Sequence, residues 1–352
     1  MEKIVVMGAG SWGTALAILL AKKGYEVVIW EFDEKKAKEL QEKRENPLFL
    51  PGSKFPDNLR VTNSLEGILD GSNYLLFSVP AQVLRKVVPA IASQLREDIT
   101  IINSAKGIEI QSGLRLSEVI KEEILGKYHK NIIALSGPTH AEEVAIELPS
   151  AIVAAGDLER GKKVQKIFST DYFRVYTSQD IIGVELGGAV KNCIAITNGI
   201  SDGIGYGDNS RAALITRGLA EMSRFGEHFG ADPLTFTGLA GMGDLIVTCT
   251  SRHSRNRGVG ERIGKGEKIE DILSSMVMVA EGVPTLKAVK ELAEKHGISM
   301  PIVNATYKRG FSIINGERIK RRIWKVKGKI KKNKGKSGDV CGKREGFSIV
   351  IS

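Results

Sequence analysis

The chain opens with KIVVMGAGSWGTALA, in which a short apolar run is followed at once by three glycines, Gly8, Gly10 and Gly13. Glycine lets the backbone turn sharply, approach a pyrophosphate closely and pack a helix tightly on a strand. The apolar run predicts a strand, and the residues after Gly10 predict a helix whose first N–H groups could face phosphates. The stretch therefore indicates a dinucleotide-binding unit, although the pattern alone also fits a tight structural turn.

A carboxylate follows the second predicted strand. Glu31 comes directly after the run EVVIW, eighteen residues beyond Gly13, close to the usual position of the ribose-binding acid in a dinucleotide-binding unit. Such a carboxylate accepts a hydrogen bond from a ribose 2′-hydroxyl and repels a 2′-phosphate. We therefore expect NAD(H) or NADP(H) as the cofactor, with a modest preference for NAD that Phe32 or a nearby lysine could alter.

Up to about residue 180, short apolar runs alternate with helical patterns such as SWGTALAILLAKKG and PAQVLRKVVPAIASQL. The predicted strands are KIVVM, EVVIW, YLLFSVP, TIINSA, NIIALSG, SAIVAAG and FRVYTS. This alternation predicts an α/β, Rossmann-like dinucleotide-binding domain over residues 1–180, with a mostly parallel sheet and helices on both faces. Long helical patterns then replace the strands, so residues 181–316 are predicted to form an all-α substrate and catalytic domain.

Composition sets further limits. The 352 residues are enough for two domains with cores of their own. The three cysteines, Cys193, Cys249 and Cys341, lack the paired spacing of a metal or redox site and predict reduced thiols. No apolar run approaches the roughly 20 residues that cross a bilayer, and TALAILLA lacks the flanks of a signal peptide. We therefore expect a cytoplasmic protein without a metal site.

The net charge of +10 is concentrated near the end of the chain. Residues 317–345 contain 13 lysines and arginines against three acidic residues, so the remainder is close to neutral. We treat residues 317–352 as an atypical basic tail with three interpretations: a segment that binds nucleic acid or anionic lipid, an inert disordered segment, or the product of a frameshift in the gene. We favour the frameshift.

Two segments after predicted strand ends carry candidate site residues. NSAKGIE places Lys106 just beyond a strand, where open α/β sheets bind ligands. SGPTHAEEVA brings Gly137 and Thr139 to the start of a helix, whose N-terminus could face an anion. His140 could be mistaken for a catalytic acid, but we interpret it as packing near the ligand.

The helical half supplies a second group of candidates. Lys191 follows the pair Gly187 and Gly188 within a predicted helix. Each glycine there costs about 1 kcal/mol relative to alanine, so a close backbone or a cofactor would explain the pair; tight helix packing beside a solvated lysine is the alternative. Asp244 and Thr248 are four residues apart and would share one helix face.

A basic loop follows those residues. Ser254, Arg255 and Asn256 lie in a stretch with no acidic residue from 251 to 260. A solvated basic loop is the ordinary interpretation of such a run. Serine, arginine and asparagine side by side, however, provide the charge and the several donors that a phosphate requires.

These segments together resemble the bacterial NAD(P)-dependent glycerol-3-phosphate dehydrogenases. The resemblance runs from residue 4 to about 307 and rests on GAGSWGTALA, SAKGIE, SGPTHAEEVA, IGVELGGAVKNCIAI, GDNSRAALITRGLAEM, TFTGLAGMGDLIVTCTSRHSRNRG and AEGVPTLKAV, in family order. It implies reduction of dihydroxyacetone phosphate to sn-glycerol 3-phosphate, a phospholipid precursor. It ends after MPIVNATYK, where the basic tail begins.

By this resemblance Lys191 is the proton donor in reduction and the acceptor in oxidation. The resemblance implies substrate contacts for Lys106, Gly137, Thr139, Lys191, Asp244, Ser254, Arg255 and Asn256, and we add Thr248 to this group. It implies a cofactor site lined by Ser11, Trp12, Phe32, Lys106, Ala141, Arg255, Val279 and Glu281, in addition to the glycines and Glu31.

The chemistry of hydride transfer agrees with these roles. Hydride arriving at a carbonyl carbon leaves an alkoxide, which a nearby ammonium stabilises and protonates. Burial and a second lysine would lower the pKa of Lys191 toward neutrality. We expect Lys106 to be that second charge, and Asp244 to orient Lys191 or a substrate hydroxyl.

Two other interpretations remain open from the sequence. One is another two-domain hydroxyacid dehydrogenase or ketopantoate-type reductase, against which the Ser-Arg-Asn loop argues. The other is a nucleic-acid or membrane-binding protein that acts through its tail. The expected partner is a phosphorylated small molecule, and the expected assembly is a homodimer or a monomer.

Overall fold

An eight-stranded sheet dominates the first half of the molecule, which this computed structural model describes from residue 2 to residue 311. The strands in chain order are β1 (Lys3–Met7), β2 (Glu26–Trp30), β3 (Glu45–Asn46), β4 (Leu50–Lys54), β5 (Leu59–Thr62), β6 (Ser72–Phe77), β7 (Thr100–Asn103), β8 (Ile132–Ser136), β9 (Ser150–Gly156) and β10 (Phe173–Ser178). The order across the sheet is β10-β9-β8-β7-β6-β1-β2-β5, while β3 and β4 form a separate hairpin. Only the β8–β9 pair of the described sheet is antiparallel.

The longest helices of the described chain directly follow the end of the sheet. They are α1 (Ser11–Lys22), α2 (Glu34–Lys43), α3 (Leu84–Val87), α4 (Pro89–Ala92), α5 (Leu116–Glu123), α6 (Ala141–Ala145), α7 (Leu158–Phe168), α8 (Ile181–Ile204), α9 (Asp208–His228), α10 (Asp244–Thr250), α11 (Arg255–Gly264), α12 (Ile269–Ser274), α13 (Gly282–Lys295) and α14 (Pro301–Phe311). None of them is both long and apolar enough to span a bilayer.

Both faces of the sheet are covered. Ile4 and Val6 of β1 belong to one apolar cluster with the helix α1, while the alternate residues Val5 and Met7 belong to a second cluster with α5 on the opposite face. Side chains alternate across a strand, so a parallel strand with helices on both sides is apolar throughout. The expected α/β, mostly parallel fold followed by helices is confirmed.

The structure differs from the sequence-based prediction in three places. The edge strand β5 and the β3–β4 hairpin were not expected. The segment PAQVLRKVVPAIASQL does not form one helix: a 3-10 turn leads into α3, and α4 begins at Pro89. Proline has no N–H to donate and clashes with the preceding turn, which accounts for the interruption.

The second half of the described chain is built around α8. This helix begins at Ile181, directly after the predicted boundary at residue 180. Asp180 caps it by accepting a hydrogen bond from the Gly183 N–H at 2.8 Å. Every residue from 183 to 201 is buried. A helix that is enclosed on all sides lies at the centre of its domain, and α9, α10, α11 and α13 pack around it. The tail at residues 317–352 lies outside the described residues.

The helices α8 and α11 touch through their main chains. Gly199 and Gly203 of α8 face Gly260 and Gly264 of α11, and a methyl group added at any of the four would overlap or press on backbone of the other helix. Because no side chain separates the two helices at this contact, the start of α11 has a fixed position relative to α8.

Candidate active site

A cleft of about 280 Å³ lies between the glycine turn, the carboxyl ends of β6 and β7, and the helices α8 and α11. Most of the residues that the sequence singled out line it. These are Gly10, Ser11, Trp12, Lys106, Thr139, Ala141, Lys191, Thr248, Ser254, Arg255, Asn256, Val279 and Glu281. Residues from both halves of the chain therefore meet around one space.

The remaining predicted residues do not line this cleft. Gly8 and Gly13 are the packed residues of the glycine turn, where a methyl group on Gly13 would overlap the Gly8 carbonyl oxygen. Gly137 and Asp244 lie behind the two lysines, to which they are hydrogen-bonded. Glu31 follows β2 outside the cleft wall, beside the highly exposed Phe32.

The glycine turn fits a dinucleotide. Gly8 adopts a φ of +110°, and a Cβ there would lie 2.8 Å from the carbonyl oxygen of Ser78, so no other residue fits without movement. Gly10, in contrast, faces open space. The helix α1 begins at Ser11 with no side-chain cap, which leaves its first N–H groups directed at the place where a pyrophosphate would lie. The buried Nε1 of Trp12 also lacks a hydrogen-bond partner.

A residue that sequence reasoning missed holds this turn in place. Asn46 is fully buried, and its Nδ2 donates to the Ala9 carbonyl oxygen at 2.8 Å and to Thr14 Oγ1 at 2.9 Å. Its Oδ1 accepts from the Phe49 N–H at 3.3 Å. The hairpin thereby fixes the middle residue of the glycine turn from a position 37 residues away in the chain.

Two lysines share one buried carboxylate. Lys191 Nζ lies 2.6 Å from Asp244 Oδ1, and Lys106 Nζ lies 2.7 Å from Asp244 Oδ2. Thr248 Oγ1 accepts from Lys191 at 2.7 Å and donates to the Asp244 carbonyl oxygen at 2.6 Å. Lys106 also donates to the Gly137 carbonyl oxygen at 3.0 Å. The amine of Lys191 is thus held at a fixed point on the cleft wall.

The surroundings of Lys191 lower its pKa to about 8. Burial has the largest effect, since it disfavours the charged amine, and the positive charge of Lys106 acts in the same direction. The carboxylate of Asp244 opposes both. An amine with a pKa near 8 can both give up and take up a proton close to neutral pH.

The paired glycines before Lys191 are explained by close neighbours. A Cβ on Gly187 would lie 2.6 Å from the Ala240 carbonyl oxygen, and one on Gly188 would lie 2.6 Å from Ser136 Oγ and 3.5 Å from Lys106 Cγ. The absence of side chains lets α8 approach the end of β8 and brings Lys106 toward Lys191. The alternative of a solvated lysine is wrong, because Lys191 is only 5% exposed.

The Ser-Arg-Asn segment forms the start of α11. Ser254 caps the helix by accepting from the Arg257 N–H at 3.2 Å. Asn256 Oδ1 accepts from the Gly282 N–H at 2.9 Å, which ties α11 to α13. Arg257 is committed to Asp202, with its Nε 2.8 Å from Oδ2. The exposed Arg255 therefore remains to meet an anion at the cleft, next to the N–H groups of a helix end.

The carboxylate of Glu31 is already paired. Its Oε2 lies 2.9 Å from Lys36 Nζ, and its Oε1 accepts from the Asp33 N–H at 3.3 Å. The Glu31 side chain is 4% exposed. The expected preference for NAD assumed an unpaired carboxylate at Glu31, whereas the structure contains a paired one.

Two histidines face each other across the cleft wall. The ring centroids of His140 and His253 are 5.9 Å apart. Burial, together with the charges of Lys191 and Lys106, lowers the pKa of His140, so the ring is neutral at physiological pH. His140 therefore lines the cleft as a neutral ring beside the two lysines, and the interpretation that it packs near the ligand stays a prediction.

Several lining residues were not anticipated. They are Phe49, Ser78, Val79, Pro80, Ser104, Ala105, Glu142, Asn192 and Val277. Ser78 and Ser104 follow the ends of β6 and β7, where parallel sheets bind ligands, so strand position alone could have found them. Asn192 directly follows Lys191, but nothing in its spacing marks it.

A dinucleotide turn and a buried, hydrogen-bonded lysine that meet at one cleft are features of a nucleotide-dependent oxidoreductase. Family models described as the NAD-dependent glycerol-3-phosphate dehydrogenase N-terminus and C-terminus match residues 3–161 and 180–318. The chain belongs to this family.

Individual relatives agree. The chain is 52% identical to the glycerol-3-phosphate dehydrogenase [NAD(P)+] of Chlorobium limicola over 309 residues, covering 88% of this chain and 93% of that protein. Against that of Bacillus mycoides it is 48% identical over 334 residues, covering 95% and 97%. The crystal structure of the Coxiella burnetii glycerol-3-phosphate dehydrogenase superposes with a TM-score of 0.84 at 37% identity, covering 89% and 95%.

Proposed function

We propose that this chain catalyses the reversible NAD(P)H-dependent reduction of dihydroxyacetone phosphate to sn-glycerol 3-phosphate and so supplies glycerophospholipid synthesis. The observation that carries the proposal is the buried amine of Lys191, held by Asp244 on the wall of a cleft that also contains the glycine turn and the start of α11. The names of the relatives point to the same reaction.

Lys191 acts as the proton donor in reduction and the acceptor in oxidation. A dinucleotide whose pyrophosphate lay at the glycine turn would supply the hydride that the C2 carbonyl carbon receives. The ammonium of Lys191 stabilises the developing oxyanion and passes it a proton. With a pKa of about 8, the amine is mostly protonated at neutral pH and still acidic enough to give up the proton.

Lys106, Asp244 and Thr248 position that amine. Asp244 and Thr248 hold Lys191 Nζ at 2.6 and 2.7 Å, which leaves one N–H direction free for the substrate oxygen. Lys106 adds a second positive charge close to the same oxygen. An oxyanion forming there is stabilised by groups that need no rearrangement.

The start of α11 is the proposed phosphate site. Arg255 supplies charge, and Ser254 and Asn256 flank it with polar groups and helix N–H donors. Thr139, with its hydroxyl near Gly137 across the cleft, completes the set of substrate contacts. A phosphate anchored there places the carbonyl of a three-carbon substrate toward Lys191.

The rival interpretations predict different outcomes. A ketopantoate-type or hydroxyacid dehydrogenase would prefer a 2-oxo acid without phosphate, and the full-length chain should then oxidise NADPH faster with ketopantoate or pyruvate than with dihydroxyacetone phosphate. A protein that acts through its basic tail would bind DNA or anionic vesicles with an affinity that falls steeply with salt. The buried lysine would serve either carbonyl reduction, so the Ser-Arg-Asn segment and the family match are what argue against the first interpretation.

Oxidation of NADH or NADPH, followed at 340 nm with dihydroxyacetone phosphate, tests the proposal. Activity at micromolar to millimolar substrate is expected, with glycerol 3-phosphate as the product and its loss in Lys191→Met. Turnover of dihydroxyacetone as fast as of its phosphate would contradict the phosphate site.

We also propose a cytoplasmic location and a dimeric or monomeric assembly. Two thiols of the described chain, Cys193 and Cys249, are buried and unpaired, as is usual in a reducing compartment. Fractionation and sedimentation of the purified protein test the two points separately.

A further inference from the structure

The ion pair between Glu31 and Lys36 is the feature from which we argue. Glu31 follows β2, at the position where a dinucleotide-binding domain recognises the adenine-side ribose. A lone carboxylate there would repel a 2′-phosphate. In this chain its Oε2 lies 2.9 Å from Lys36 Nζ, and the side chain is 4% exposed. The negative charge is therefore offset before any cofactor arrives.

The side chain of Lys36 is more exposed than that of Glu31. Its side chain is 24% exposed, against 4% for its partner. The ammonium lies 4.3 Å from the centroid of the Phe49 ring, and Phe49 lines the main cleft. On its other side Lys36 borders a second cavity of about 250 Å³, together with Asp33, Asn46 and Pro47. The amine thus borders the second cavity and contacts a residue that lines the main cleft.

We propose that Lys36 sets the cofactor preference of this enzyme: its ammonium neutralises Glu31 when NAD(H) binds and contacts the 2′-phosphate when NADP(H) binds, so that both cofactors are accepted. The ribose 2′-hydroxyl of NAD(H) donates to the Glu31 carboxylate. A 2′-phosphate instead takes over the ammonium in a charge-assisted contact. The inference rests on the proposed function only for the class of cofactor.

Lys35 borders the second cavity together with Lys36, whereas Lys38, a third lysine of α2, does not share this position. Lys38 is on the exposed side of the helix, with its Nζ 3.9 Å from Glu42. Its side chain is 77% exposed, and it borders neither cavity. Lys38→Met therefore removes the same charge from the same helix without touching Glu31 and is a matched control for Lys36→Met.

Calorimetric titration of the full-length protein with NADH and with NADPH, without substrate, tests the inference. Lys36→Met should weaken NADPH by about tenfold or more, as expected when a charge-assisted contact is lost, and change NADH by less than about threefold. Glu31→Gln should tighten NADPH relative to NADH. Lys38→Met should change neither. Adenosine 2′,5′-bisphosphate and 5′-AMP, used as shorter probes, should show the same contrast.

The double variant Glu31→Gln, Lys36→Met separates charge from structure. If Lys36 acts on the 2′-phosphate by charge, removing the Glu31 charge should recover part of the NADPH affinity lost in Lys36→Met. Thermal unfolding of each variant shows whether it is folded. If Lys36→Met does not fold, Lys36→Arg, which keeps the positive charge, takes its place in the comparison.

Two results would overturn the inference: equal losses for NADH and NADPH in Lys36→Met, or no change for either. Because no substrate is present, these results leave the proposed reaction untouched. Conversely, a protein that binds both cofactors but does not reduce dihydroxyacetone phosphate would overturn the proposed function alone.

Discussion

The Nζ of Lys191 lies 2.6 Å from Oδ1 of Asp244, and both side chains are almost completely buried, at 7% and 1% exposure. A buried ion pair costs much of its attraction in lost hydration. Its retention on a cleft wall points to a role in chemistry rather than in stability. The pair holds an amine with a pKa of about 8 at the place where the proposed reaction needs a proton.

Removing the amine is expected to stop the reaction. Lys191→Met fills similar space without a proton to give, so kcat for reduction should fall about 10²- to 10⁴-fold, the usual contribution of general acid catalysis. The dissociation constant for NADH, measured by calorimetry, should stay within about twofold. Substantial turnover in this variant would refute the role assigned to Lys191.

The two directions of the reaction should respond oppositely to pH. Reduction needs the protonated amine and should decline as pH rises through the Lys191 pKa of about 8. Oxidation of glycerol 3-phosphate needs the neutral amine and should increase through the same range. Steady-state kcat from pH 6.5 to 10 in both directions, at saturating cofactor, measures this. Profiles that rise and fall together would point to another group.

Asp244→Asn should move those profiles. The carboxylate raises the pKa of Lys191 against the effects of burial and of Lys106. Without it the pKa falls further, so both profiles should shift to lower pH and kcat for reduction at pH 7.5 should drop. Asp271→Asn, an exposed carboxylate on α12, is the control and should leave both profiles in place.

Gly188→Ala tests the close approach beside Lys106. The added methyl would lie 2.6 Å from Ser136 Oγ, so overpacking should cost about 1–3 kcal/mol of unfolding free energy. Displacement of Lys106 should also lower kcat. Gly258→Ala on α11 meets nothing within 4 Å and should stabilise by up to about 1 kcal/mol. Equal effects of the two variants would contradict the packing argument.

Asn46→Ala should loosen the glycine turn. It leaves the Ala9 carbonyl oxygen without its buried donor, which should destabilise the protein by about 1–3 kcal/mol in denaturant unfolding. NADH and NADPH should both bind more weakly, by the same factor, because the turn serves the part that they share. Asn63→Ala at an exposed position serves as the control. Unchanged cofactor affinity would limit Asn46 to a structural role.

What the sequence could predict depended on how far apart the interacting residues lie. The glycine turn and the paired glycines before Lys191 are local, and their physical reasons are visible in a few letters. The contact of Lys106 with Asp244 spans 138 positions and was not predicted; the family resemblance implied only that both residues contact the substrate. Asn46 was missed because its partners depend on a two-residue strand whose pairing no periodicity indicates. Pro89, in contrast, is a sequence signal for a break in a helix, but the helical pattern around it led to the prediction of one continuous helix.

The main-chain contact between α8 and α11 has a consequence for substrate length. Lys191 is carried by one of these helices and Ser254 to Asn256 lie at the start of the other, so peptide groups set the separation of the proposed proton donor and the proposed phosphate site. Pockets usually change size when a side chain grows or shrinks, and here no side chain stands between the helices. A relative that accepts one more carbon between carbonyl and phosphate would need a different crossing of the two helices. Substrate length in this enzyme is therefore a property of its backbone.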